Sequence, residues 1–378
     1  MEIFWDFGGQ ITHSRRMPKK LIFTVTTDLT YDQRMIRICH SLAQAGYEVL
    51  LVGVQKRGSA PLATATYRQK RLPVLFRKGK LFYAEYNIRL FLFLLFTRMD
   101  AVCAIDLDTI LPCRLVSGLQ RIPRVYDAHE LFCEMKEVVT RPLIYKIWKR
   151  IERLCVPAFP HGYTVNSIIA EEFKKMYGVH YETIRNIAVL EPFIPPARKE
   201  RFILYQGAVN EGRCFETLVP AMQQVNARLL ICGDGNFMQQ TRALVKQYGL
   251  DKKVIFKGRL APDELRLLTR TAWIGITLFD NTGKSNYYSL ANRFFDYIHA
   301  GVPQLCMDYP AYRELNNLYE VAVLIKDPGT ENIAASLNSL LGDETAWQRL
   351  ADHCQKAKQS FNWQEEEKKL IAFYNRLF

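Results

Sequence analysis

Lys284–Pro303, KSNYYSLANRFFDYIHAGVP, is the stretch on which the reading of the whole chain turns. From Ser289 its spacing predicts a helix, with Leu290, Phe294, Tyr297 and Ile298 recurring on one apolar face. Ser289, Asn292, Asp296 and His299 share a second, polar face. Gly301 can adopt the left-handed conformation just past the last turn, and Pro303 prevents continuation. The run GKSNYYS ahead of the helix is small and polar, so backbone N–H groups can be left free where the helix opens. Unpaired donors at the positive end of a helix dipole make an anion site. Asp296, two turns further in, can meet hydroxyls on whatever carries that anion. Phosphate at the helix start and sugar hydroxyls at Asp296 describe a nucleoside diphosphate. A surface helix with an ordinary polar face is the competing reading.

Upstream of this stretch the pattern alternates between strand and helix. RFILYQGAVNEGRCFETLVPAM places a strand up to Gly207, then Arg213 beside Gly212 where the next helix opens. A glycine that lets backbone approach a phosphate, followed by a cation, is a plausible pyrophosphate grip. ARLLICGDGNFM gives another strand ending at Gly233; Met238 stands where a dinucleotide fingerprint needs its third glycine, so that reading fails. KVIFKG, WIGITLF, PQLCM and VAVLI are further buried strands, implying a parallel sheet covered on both faces. The chain is helical from about residue 344 to its end, and IAVLEPFIPPARKE (187–200), rich in proline, is a linker.

The first half repeats the alternation. KLIFTVTT (20–27) is a buried strand, and Asp28, Asp32 and Arg34 follow its carboxyl end, where doubly wound sheets bind ligands. Asp32 is equally well explained as a helix N-terminal charge. AVCAIDLDTILP and RVYDAHELFCEM are strands ending in Asp106 and Asp108, and in Asp127, His129 and Glu130. Polar clusters at the ends of consecutive strands converge on one crevice. His129, between Asp127 and Glu130, is the candidate catalytic or substrate-orienting imidazole. Asp106-Leu107-Asp108 has the form of a metal-gripping D-x-D, but capping of the next helix by Asp108 accounts for it as well. FRKGKLFYAEYNIRLFLFLLFTR (76–98) is strongly apolar with cationic flanks: either a core helix, or one lying on an anionic membrane.

With 378 residues and 49% hydrophobic content, the chain can bury two cores. Its nine cysteines show no metal-ligand spacing and read as buried small hydrophobes in a reducing compartment. No signal peptide is visible in the first twenty residues, and the apolar run Leu90–Phe96 is too short to span a bilayer. A net charge of +13 implies acidic partners: nucleotide phosphates, anionic lipid or nucleic acid. The basic residues are dispersed outside 68–98, which disfavours nucleic acid.

The order D-x-R with GYEV, DAHELF, TVNS, IRN, YQG with GR, ICGDG, VIFKG and NRFFDYIHAGVP resembles the retaining glycosyltransferase family 4 of the GT-B fold. The resemblance implies an α/β architecture of two facing Rossmann-like domains with parallel sheets: residues 1–190 on the acceptor side, 200–360 for the sugar nucleotide, and 361–378 as a helix crossing back. It implies that Arg213 meets the diphosphate, Asp296 the ribose, the backbone of Ser289, Leu290 and Ala291 the phosphate, and His129 the donor sugar. Tyr288 stands where the family's first acid of E-x7-E is expected, Asp296 is the shorter acid at the second position, and Ala208 replaces an expected arginine. The expected activity is transfer of a sugar from a nucleoside diphosphate to a glycan or lipid-linked acceptor, with no metal or other cofactor, at the cytoplasmic face. Asp32, Arg34, Asp106 and Asp108 fall on the acceptor side; Gly207, Gly233, Tyr288 and Asn292 join the donor side. A nucleotide-sugar epimerase of the same fold, or a non-catalytic nucleotide- or nucleic-acid-binding protein, are the alternatives.

Overall fold

The computed structural model describes residues 17–192 and 199–378; the linker prolines Pro195 and Pro196 and the first sixteen residues lie outside them. The first sheet holds β1 Lys20–Thr24, β2 Glu48–Gln55, β3 Arg68–Pro73, β4 Ala101–Ile105, β5 Arg124–Ala128, β6 His161–Thr164 and β7 Glu182–Thr183. Its order is β3-β2-β1-β4-β5-β6-β7, with every pair parallel. The second holds β8 Phe202–Gln206, β9 Arg228–Cys232, β10 Val254–Gly258, β11 Ile274–Thr277, β12 Gln304–Met307 and β13 Ala322–Ile325. Its order is β10-β9-β8-β11-β12-β13, again all parallel.

Both sheets are buried on both faces, as continuous apolar strands require. In β1, Ile22 points into one core while Leu21 and Phe23 point into the other. In β8, Ile203 and Tyr205 face one core and Phe202 and Leu204 its opposite. All nine cysteines are buried free thiols, as their spacing implied.

The last helix, Trp363–Asn375, packs on the first sheet rather than the second. Trp363 Nε1 donates to Ser41 Oγ at 2.9 Å, and Tyr374 packs on Phe23 and Tyr163. Glu366, 1% exposed, pairs with Arg185 at 3.2 Å and Lys369 at 2.8 Å. A buried carboxylate survives only with such partners. The helix is therefore a strap from the second sheet to the first, and it brings the carboxyl ends of both sets of strands into one cleft.

Candidate active site

The cleft wall from the first sheet is built by the loops after β4 and β5. Asp106 adopts φ +53°, unusual for a residue with a side chain, and such strain persists only where surroundings enforce it. Here its N–H donates to the Asp127 carbonyl at 2.9 Å and its Oδ1 accepts the His129 N–H at 2.8 Å. The His129 ring then sits between two carboxylates, Nδ1 3.1 Å from Asp106 Oδ2 and Nε2 3.3 Å from Asp127 Oδ2. Burial alone would favour neutral imidazole, but these two acids raise its pKa to about 10. The two acids therefore favour the imidazolium form of His129 at neutral pH, and its side chain is 26% exposed.

The other first-sheet residues sort by depth. Asp127 is fully buried in a bidentate pair with Arg34, at 2.7 and 3.1 Å. Arg34, 3% exposed, is therefore a strut beneath the cleft and does not face an acceptor, contrary to the sequence expectation. Asp32 caps the helix Gln33–Gln44 by accepting from Met35 N–H, so the plain structural reading holds for it. Asp108 does not cap the helix after β4; it accepts from Thr26 Oγ1 at 2.9 Å, and burial beside Asp106 lifts its pKa to about 7. Glu130 is likewise pushed up to about 7 by burial and by Asp106. Its carboxylate reaches across the cleft to Ser285 Oγ at 3.2 Å. Lys136 makes a second crossing, to Glu211 at 2.9 Å and Asp280 at 3.5 Å.

On the second sheet the opening stretch is two helices, not one. Lys284–Tyr288 is a short helix, the chain breaks at Ser289, and the functional helix runs Asn292–Ala300. Because of that break, the N–H of Ser289 bonds to the Asn286 carbonyl and that of Ala291 to the Tyr312 hydroxyl. Neither is free for phosphate, so that part of the expectation is corrected. Asn292 and Arg293 form the first turn of that helix, directly after Leu290 and Ala291. Tyr288 packs against the first core, and its carbonyl accepts from Asn166.

Arg213 and Arg293 are the cations of this side. Both lie over the Phe279 ring, at 4.4 and 5.0 Å, and Arg293 also stacks on Tyr205 at 4.5 Å. Arg213 donates to Asn286 at 2.9 Å, and burial and the neighbouring Arg293 push its pKa down. Arg213 Nε and Arg293 Nη1 are buried without a hydrogen-bond partner in the protein. Two like charges held together with unsatisfied donors are costly unless an anion completes them. Arg293 was missed in the sequence. The signal was there: an arginine in a helix's first turn, where the dipole disfavours it and acids are usual.

Gly207 and Gly233 shape the approach. Gly207 has φ +123°, and a side chain on it would meet the Arg293 guanidinium at 3.7 Å. Gly233 has φ +144°, and a Cβ there would fall 1.8 Å from the Gly207 carbonyl. The two loops are thus in backbone contact, with Gly207 beside Arg293.

Beyond them lies a cavity of about 330 Å³ between the sheets, with Asn292, Asp296 and His299 from one side and Arg37 and Asn186 from the other. Asp296 accepts from Gln206 Nε2 at 2.9 Å, and Gln206 accepts from Thr269 Oγ1 at 2.7 Å. Burial raises the Asp296 carboxyl to about 6 despite that bond and the charges of Arg37 and Arg293. His299 faces the cavity but its Nε2 is engaged by the Phe361 carbonyl at 2.7 Å.

Residues 191–361 match the family model described as glycosyl transferases group 1. No curated protein matches the chain significantly in sequence. Among solved structures, sucrose-phosphate synthase from Thermosynechococcus elongatus superposes with a TM-score of 0.74 at 16% identity, over 95% of this chain and 99% of that one. HepE from Anabaena, in complex with UDP-glucose, superposes at 0.71 and 11% identity, over 95% and 100%. WaaG, a glycosyltransferase involved in lipopolysaccharide biosynthesis, superposes at 0.69 and 14%, over 93% and 98%. Identities this low carry the fold alone. Residues 191–361 are thus similar to the glycosyl transferases group 1 family, and the chain as a whole has the GT-B fold.

Proposed function

We propose that the protein transfers a hexose, with retention, from a nucleoside-diphosphate sugar to a glycan or lipid-linked acceptor. The observation that carries this is the pair Arg213 and Arg293, stacked on one ring with unpartnered buried nitrogens, Arg293 lying one turn before Asp296 on the same helix. Diphosphate completes the arginines, and ribose hydroxyls fit the Asp296 carboxylate at the mouth of the cavity. HepE binds UDP-glucose on the same fold, which favours a uridine nucleotide here.

Breaking the bond between the anomeric carbon and the diphosphate leaves charge on the phosphate oxygens. The two guanidinium groups are preorganised to take it up, a contribution of about 3–4 kcal/mol per well-placed donor in comparable sites. His129, held as a cation by Asp106 and Asp127, lies on the facing wall and orients the donor sugar. Glu130, with a pKa near neutrality, is the group able to exchange a proton with an acceptor hydroxyl.

The arrangement supports metal-independent chemistry. Asp106 is committed to His129, and Asp108 is held by Thr26 with a pKa of about 7, so the pair is poorly suited to grip a divalent cation. Incubation with a panel of nucleotide sugars and candidate acceptors, with products read by mass spectrometry, tests the reading. A glycosylated acceptor and free nucleoside diphosphate support it. An epimerised nucleotide sugar, or no change in any donor, would replace it with an epimerase or a binding protein.

A further inference from the structure

Three neighbouring helices on one face of the first sheet expose what soluble helices usually hide. The Gly79–Leu95 helix turns Phe82, Tyr86, Leu90 and Leu94 inward, yet its outward positions Leu81, Ile88 and Leu92 are apolar too, 59%, 62% and 49% exposed. A helix apolar on all sides belongs between two apolar layers, and the protein supplies one. Beside it, Ile110–Gln120 exposes Leu111, Leu115 and Leu119 at every fourth position. Beside that, Pro142–Cys155 exposes Leu143, Ile147 and Leu154. The first helix touches the second and the second the third, over one shared core, so the stripes form one surface.

That surface is also cationic. Lys80, Arg121, Lys146, Arg150 and Arg153 are exposed and in no ion pair among the described residues. The three helices contain two acids, and neither faces outward unpaired. Glu85 accepts from the N–H groups of Leu75 and Phe76 and pairs with Arg89 at 2.9 Å. Glu152 is buried and pairs with Lys149 at 2.7 Å.

We propose that this three-helix face docks on an anionic lipid bilayer, its leucines and isoleucines in the acyl boundary and its lysines and arginines among the headgroups. The charge decides the occupant. A second copy would set the same unpaired cations against themselves across a two-fold axis. Nucleic acid would want exposed aromatic rings rather than aliphatic stripes. The face adjoins the cleft: Asn87 donates to the Asp108 carbonyl, and Tyr83 and Phe132 both pack on Trp148. Docking would thus bring the first-sheet wall of the cleft to the lipid. The proposal extends the apolar segment at 76–98 to two helices its sequence gave no reason to include, and it stands independently of sugar transfer.

The test is sedimentation of the full chain with vesicles of phosphatidylcholine alone or mixed with phosphatidylserine. The expected result is binding to the mixed vesicles at low salt, release at high salt, and little binding to phosphatidylcholine alone. Leu119→Ser combined with Ile147→Ser should weaken binding about tenfold, as should Lys146→Gln combined with Arg150→Gln. Unchanged UDP binding and thermal midpoint in these surface variants serve as the folding control. Wild-type protein remaining in the supernatant with anionic vesicles overturns the proposal. So does a dimer in sedimentation velocity that the same serine substitutions dissolve, which would assign the face to a second copy.

Discussion

Arg213 and Arg293 share one aromatic ring and each leaves a buried nitrogen without a partner, an arrangement that costs the empty protein free energy. Arg213→Ala is expected to weaken UDP binding by about 1.5–3 kcal/mol, the range for losing a charge-assisted hydrogen bond; isothermal titration reads it directly. Asp296 carries the opposite bargain. Its folded pKa of about 6 lies above the ordinary aspartate value, so its contribution to stability is full below that ordinary value and is lost as pH rises through about 6. Asp296→Asn should therefore raise the thermal midpoint at pH 8 while lowering UDP affinity, and wild-type affinity should fall as pH drops below about 6. His129 has a raised pKa, so its stabilisation is full below about 6.5 and fades as pH climbs toward 10. Its imidazole NMR shifts should not titrate between neutrality and pH 8.5 or so, and Asp106→Asn should bring the titration back toward the ordinary histidine range. Asp296, Arg213 and His129 were singled out in the sequence, Arg213 and His129 because they follow strand ends and Asp296 because it falls on the polar face of a helix. Arg34 was misplaced because its partner Asp127 is 93 residues away, and no local pattern shows that the pair is buried.

At the scale of elements, the site depends on backbone that no side chain can replace. The Gly207 and Gly233 loops touch so closely that Gly233→Ala must displace one of them. It should cost about 1–3 kcal/mol in urea unfolding, the usual range for overpacking, and impair UDP binding as well. The break between Lys284–Tyr288 and Asn292–Ala300 was not legible. Helical spacing begins at Ser289, three residues before the helix does, and the small polar run before it gave no sign of a helix of its own. The Tyr312 hydroxyl that takes the Ala291 N–H comes from a later helix. The strap helix was foreseen only by resemblance, since its composition does not say which sheet it covers. Trp363→Ala, which removes a ring buried against the first core and its bond to Ser41, should destabilise the protein by about 3–5 kcal/mol. A loss below 1 kcal/mol or so would mean the strap contributes little.

Across the whole molecule, alternating apolar strands and amphipathic helices made both parallel sheets readable, and the proline-rich segment marked where one ends and the next begins. What composition could not give is how the two sheets face each other: Glu130 on Ser285, Lys136 on Glu211 and Asp280, Asn166 on Tyr288. Those contacts hold the segments after β5 and β6 against Ser285, Glu211, Asp280 and Tyr288 on the second sheet's side. No helix among the described residues is long and apolar enough to cross a membrane, so any bilayer contact through these residues' helices is made from one side. The most direct measurement is calorimetric titration of the protein with UDP in EDTA. The account predicts one UDP per chain, bound without a divalent cation, with affinity reduced in Arg213→Ala and in Arg293→Met. Binding that requires manganese or magnesium, or that survives both substitutions unchanged, would contradict it.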